Sequence, residues 1–142
     1  MQDFDELKKL KAQCLSDIRE ALPLYANRLN ECDERLMIYI EDAISNNASH
    51  ANFYELLGIR KEMRLMDSYP LDPERVKRSL RAIEGQWQGG RHVKGGLRFS
   101  TPRGSQHVRL MPFQVWLIFE IYAFKVDVPM ERTYHDGDML LP

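Results

Sequence analysis

Apolar residues recur along the start of the chain at three- and four-residue spacing: Phe4, Leu7, Leu10, Cys14, Ile18, Leu22 and Tyr25. Residues so spaced share one helical face, so the stripe predicts an amphipathic helix. Pro23 is expected to end it or to open the next one, because proline removes an amide donor and crowds the preceding turn. A second stripe, Leu29, Cys32, Leu36, Tyr39 with Ile40, and Ala43, predicts a helix reaching the polar run Ser45-Asn46-Asn47. Ser49 suits the cap of a third helix carrying Phe53, Leu56, Leu57, Ile59, Met63 and Met66. Gly58 weakens that helix without breaking it, and Ser68-Tyr69-Pro70 stops it.

Asp72-Pro73-Glu74 is a strong helix start: Asp accepts from an unpaired amide, Pro suits the first helical position, and Glu favours the positive helix end. Val76, Leu80, Ile83 and Trp87 would form the inner face of this fourth helix, and Arg75, Lys77, Arg78 and Arg81 its outer face. Gly89-Gly90 and Gly95-Gly96 bracket a segment expected to be irregular, followed by Leu97-Arg98-Phe99 and the turn Thr101-Pro102-Arg103-Gly104. A last helix, 113–124, begins near Pro112 and is apolar nearly all round; a chain of 142 residues has too few neighbours to cover every side of it. Val126, Val128 and Tyr134 suit strands and predict a short β-hairpin within 125–142. The expected fold is mostly α: a small helical bundle, a Gly-rich connector, one apolar helix and that terminal hairpin. Two regions follow, an acidic helical one over 1–70 and one over 71–142 with the basic helix, the Gly-rich loop and the last helix.

Composition narrows the classes. With 44% hydrophobic and 29% charged residues the mixture suits a packed domain. No run approaches the ~18 apolar residues of a membrane span, and the acidic start lacks the order of a secretion signal. Two cysteines cannot build a disulfide framework, which favours an intracellular, reducing setting; Cys14 and Cys32 fall on the apolar stripes as inert thiols. The net charge of -1 hides an asymmetry: -6 over 1–74, +8 over 75–109, where Glu84 is the only acid, and -3 over 110–142. The basic block either attracts polyanions or pairs with the acidic half inside the fold. The chain stops at Leu140-Leu141-Pro142, an apolar pair with no polar tail, which predicts a piece of a longer protein.

Catalytic and metal motifs are absent from the sequence. His50, His92, His107 and His135 show no metal spacing, and neither Cys-x-x-Cys nor Gly-x-Ser-x-Gly occurs. Asp127, Glu131, Asp136 and Asp138 lack a fixed geometry for a divalent ion. Gly89-Gly90-Arg91-His92-Val93-Lys94-Gly95-Gly96 is glycine-rich and basic, yet it lacks the order Gly-x-x-x-x-Gly-Lys-Ser/Thr between strand and helix that converges amides on a phosphate. Its glycines read as turn formers. No catalytic residue and no metal ligand is predicted.

One constellation is more specific. His92-Val93-Lys94-Gly95-Gly96, Pro102, Val108-Arg109-Leu110-Met111-Pro112-Phe113-Gln114 and the aromatic-rich helix ending Ile121-Tyr122-Ala123-Phe124 together resemble the N-terminal part of the large subunit of tailed-phage terminases, the DNA-packaging motors. That family has a His-x-Lys-Gly-like stretch, a Leu-x-Pro-Trp-Gln-like motif, and an apolar helix often ending near aromatic-Gly-aromatic. Phe113 stands where Trp is usual and Ala123 where Gly is usual; the resemblance covers about residues 72–124. It implies that Gln114 reads adenine, with Phe113 or Phe99 packed on the base. It also implies ATP with Mg as the cofactor of the full-length protein, not held tightly by this chain. The phosphate loop, magnesium-binding strand and nuclease would follow residue 142, leaving the chain catalytically silent alone. Implied partners are double-stranded DNA, a small terminase subunit and a portal ring, in the cytoplasm of a phage-infected or prophage-bearing bacterium, with no membrane.

The chemistry of Gln114 is sound on its own terms, since a Gln amide offers a donor and an acceptor that match adenine N7 and N6. Its other role would be to cap the first turn of a helix with Pro112 at its first position. Two other classes stay open. One is a free-standing helical nucleic-acid-binding module, in which Arg91, Lys94, Arg98, Arg103 and Arg109 meet phosphate while Trp87 and Phe99 stack on bases. The other is a protein–protein adaptor using the acidic helices and the exposed side of helix 113–124, through which the chain could also self-associate.

Overall fold

The computed structural model describes residues 2–45 and 53–125. Five helices are present among them: α1 (Gln2–Cys32), α2 (Arg35–Ser45), α3 (Phe53–Ser68), α4 (Pro73–Glu84) and α5 (Pro112–Tyr122). The fold is mostly helical, as its periodicity predicts. None of these helices is long and apolar enough to cross a membrane. The Phe4 side chain, the cap at Ser49, the acids at Asp127, Glu131, Asp136 and Asp138, and the expected hairpin in 125–142 lie outside the described residues.

Pro23 does not end α1; the helix runs through it. Arg19 and Pro23 both lie on the exposed face, so the carbonyl that loses its amide partner faces water, while Ile18, Tyr25 and Leu29 on the other face are buried. Packing on one side outweighs the local cost of proline. Leu29 and Cys32 consequently belong to α1 and not to the second helix. The chain breaks at Asp33, whose carboxylate accepts from the Arg35 amide at 2.9 Å and whose carbonyl accepts from the Leu36 amide at 3.2 Å. Leu7 and Leu10 stay half-exposed.

α1 packs against α3, α2 and α4, and α5 against α2 and α4. One core therefore runs across residue 70, with Ile18, Leu36, Ile40, Leu56, Ile59, Val76, Val115 and Phe119 fully buried. Asp17 ties α1 to α3 through Arg60 at 3.0 Å, and the Tyr25 hydroxyl donates to Asp67. Both cysteines are free and buried; burial pushes the Cys14 thiol up and the Cys32 thiol up to about 12, which fits unreactive thiols.

Asp72 caps α4 as expected, accepting from the Arg75 amide at 3.2 Å with Pro73 at the first helical position. Trp87, however, is not on the inner face of α4. The helix ends at Glu84, and the segment expected to be irregular forms two antiparallel hairpins: β1 (Gln86–Gln88) with β2 (Arg91–Lys94), and β3 (Arg98–Thr101) with β4 (Gly104–His107). Gly89 and Gly90 make the first turn at φ 57° and 77°, a conformation that suits a tight hairpin and resists side chains.

Candidate functional site

The two hairpins form an arm between α4 and α5, and one buried glutamate holds both of its ends. Glu84, the only acid of the basic block, is 2% exposed. It accepts from Arg35 Nη1 at 2.6 Å and Nη2 at 2.8 Å, from the Leu110 amide at 2.6 Å, and from Arg109 Nη1 at 3.3 Å. Arg35 also grips both oxygens of Asp33 at 2.9 Å and donates to the Leu110 carbonyl at 3.1 Å. Burial alone would raise the pKa of Glu84, but the hydrogen bonds from Arg35 and the Leu110 amide outweigh it and hold the carboxyl below its usual range. One charge network thus joins the start of α2, the end of α4 and the residue two before α5.

The arm folds back on its own base. A Cβ on Gly85 would lie 2.4 Å from the Gly95 carbonyl oxygen, and one on Gly96 would lie 2.4 Å from the backbone of Glu84. These glycines therefore serve close backbone crossing as well as turning. The Leu97 amide donates to the Ile83 carbonyl at 2.8 Å, and Trp87 Nε1 donates to the Glu84 carbonyl at 2.8 Å. Arg109 lies over the Trp87 ring at 5.0 Å. His92 and His107 stack with ring centroids 3.5 Å apart, joining the first hairpin to the second. Burial, the charge of His92 and that of Arg98 hold the pKa of His107 below its usual value.

Arg91, Lys94, Arg98 and Arg103 are exposed on this arm, and among the described residues no ion pair joins them to an acid. Arg98 Nε donates to the Ser105 hydroxyl at 3.0 Å. Arg109 differs from the other four: it sits at the base of the arm against Glu84 and Trp87. Among the described residues, none of these four pairs with the acidic half, the alternative to polyanion attraction. The chief tie between the halves has the reverse polarity, an arginine of the acidic half on the one acid of the basic block.

Gln114 lies in the first turn of α5, half-buried. Its Oε1 accepts from the Met111 amide at 2.8 Å, so the capping role is present. Phe113, 54% exposed, lines a groove between α3 and α5, whereas Phe99, 47% exposed, stands on the arm. The structure thus places Phe113 and Gln114 together and Phe99 on a separate element. The Glu84–Arg35 hub, the Gly85 crossing and the histidine stack escaped sequence reasoning; the lone acid within a basic block was the one available signal.

No family model, curated protein or solved structure matches the chain.

Proposed function

We propose that this chain is the N-terminal region of a DNA-packaging ATPase of the terminase large-subunit class, silent in catalysis by itself, and that it supplies Gln114 to the adenine of ATP. The observation that carries this reading is the fixed glutamine. The Met111 amide pins Oε1 at 2.8 Å, yet a carbonyl oxygen has a second lone pair and Nε2 has two donors. A pinned amide loses less freedom on binding than a free one. It can donate to adenine N7 and accept from N6, and guanine, with O6 in place of the amine, would leave that acceptor unpaired. Glu84 supports the arrangement by holding Leu110, four residues before Gln114, against α2 and α4. Phe113, next to Gln114, or Phe99 on the arm would pack on the base; both rings are exposed.

The residues fit the base end of ATP alone. Among the described residues no cluster of three or more metal-ligating side chains could hold Mg²⁺, and a phosphate loop would belong to the rest of the polypeptide. In the polypeptide that carries this region and its phosphate loop, Gln114→Ala should raise the KM for ATP about tenfold and erase the preference for ATP over GTP, the loss expected for a paired base contact of ~1–3 kcal/mol. Unchanged KM and unchanged preference would overturn the assignment.

The exposed arm cations, which no ion pair engages among the described residues, favour double-stranded DNA as a partner of the same protein, with Arg91, Lys94, Arg98 and Arg103 on phosphates. A small subunit and a portal complete the partners this class implies, in the cytoplasm of an infected or prophage-bearing bacterium.

A further inference from the structure

A groove of about 350 Å³ runs between α3 and α5, with α2 as its floor. Its volume is near the lower end of the ~300–1,000 Å³ typical of ligand pockets, which suits a single side chain. Four aromatic rings line it: Tyr39, Tyr54, Phe113 and Trp116. Tyr39 and Trp116 stack with centroids 5.2 Å apart. Trp116 is 4% exposed, so this part of the wall is fixed by the core, while Phe113 and Tyr54 are 54% and 78% exposed at the rim. The lining also holds two carboxylates, Glu55 from α3 and Glu120 from α5, with Gly58 and Leu117.

Two further observations bear on what the groove takes. Gly58 lies in the interior of α3, where glycine costs about 0.5–1 kcal/mol relative to alanine. A Cβ there would meet nothing within 4 Å, so no neighbour in the fold demands glycine; the missing side chain leaves the groove open. One turn further along the same face, Glu62 is 5% exposed and its Oε2 has no hydrogen-bond partner among the described residues. Glu120 bears on Glu62 electrostatically, and Lys61, the cation acting on both, lines a separate groove with Leu57 and Arg64. Aromatic faces attract cations, and the acids repel anions. Arginine fits better than lysine, because its planar guanidinium stacks on rings and pairs with carboxylates through two parallel bonds.

We propose that the groove lined by Tyr39, Trp116, Phe113, Glu55 and Glu120 docks an arginine side chain presented by a partner protein. The charge complementarity is opposite to that of the arm, so one molecule carries a polyanion-facing surface and, separately, a cation-accepting groove.

The 142-residue protein, labelled with ¹⁵N, is titrated with an amidated peptide holding one arginine between leucines, and with the same peptide holding citrulline, its neutral isostere. The arginine peptide should shift the Trp116 indole signal and bind about tenfold more tightly than the citrulline peptide, within the range of a desolvated cation–π contact. Gly58→Leu, which fills the groove without entering the core, should abolish the shift while circular dichroism keeps its helical signal. Glu120→Gln should weaken binding severalfold. Equal affinity for the two peptides would overturn the proposal, as would shifts confined to the α1–α3 face. Self-association abolished by Gly58→Leu would assign the groove to a second copy and overturn the partner assignment. None of these readouts depends on nucleotide binding, so failure here and failure of the Gln114 assignment are distinguishable.

Discussion

Glu62 and Glu84 both lie inside the core, and their surroundings drive them in opposite directions. Glu84 meets a guanidinium and a backbone amide, so it stays charged; its stabilising contribution is present above the ordinary carboxyl pKa and is lost as pH falls through the lowered one. Glu62 meets no partner at Oε2 among the described residues. Burial, with a smaller contribution from Glu120, pushes its pKa from 4.5 to about 7. Its folded form therefore prefers the proton, and stability should be fullest below about pH 4.5 on this group's account, decline as pH rises, and level off above about 7. The ceiling for such a shift is roughly 3 kcal/mol. Glu62→Gln should flatten this dependence and stabilise the protein at pH 8 by about 1–3 kcal/mol in urea unfolding. Parallel pH profiles for the two proteins would contradict it. Nothing in the sequence warned of this residue: Glu62 sits beside Met63 on a helix whose apolar stripe is visible, and only the tertiary packing of α3 reveals that its side chain is buried.

At the scale of elements, the arm is the part of the fold that sequence reasoning misread. Its strands are three or four residues long, too short for alternation to register, and the glycines that signal turns equally signal irregular chain. Hairpins this small are marginal alone. Here Gly85 and Gly96 let the backbone cross at the base, and the His92–His107 stack joins the two hairpins. The helices were legible because each keeps an apolar stripe over several turns, and the Asp72-Pro73-Glu74 start carries its own capping chemistry. The break at Asp33 was missed because Leu29 and Cys32 keep the stripe in phase across it. The arm leads to a direct expectation: with four exposed cations that no ion pair engages among the described residues, double-stranded DNA should bind with a log–log salt slope approaching about −0.9 for each phosphate met. Arg98→Ala with Arg103→Ala should reduce that slope in magnitude by roughly 2, read by anisotropy between 50 and 200 mM salt. Salt-independent binding would contradict a phosphate-facing arm.

Across the whole molecule, the helices form one core and leave two surfaces of opposite charge preference, the cationic arm and the acidic, aromatic groove beside α5. The exposure of Phe113, Leu117 and Ile121 was legible in advance, since a helix apolar all round in so short a chain cannot be covered on every side. The role of Gln114 was legible only as two competing roles, and the structure contains the first of them, the cap, while leaving its amide donors and one lone pair for the second. What joins these features is Glu84, which fixes the arm and the approach to α5 at a common point, so that the arm cations and Gln114 share a foundation. The most direct test is a crystal structure of the polypeptide that carries this region, bound to a non-hydrolysable ATP analogue. The account predicts Gln114 Nε2 within about 2.7–3.2 Å of adenine N7, with Oε1 still accepting from the Met111 amide. An adenine held elsewhere, with Gln114 bonded to Met111 alone, would contradict it.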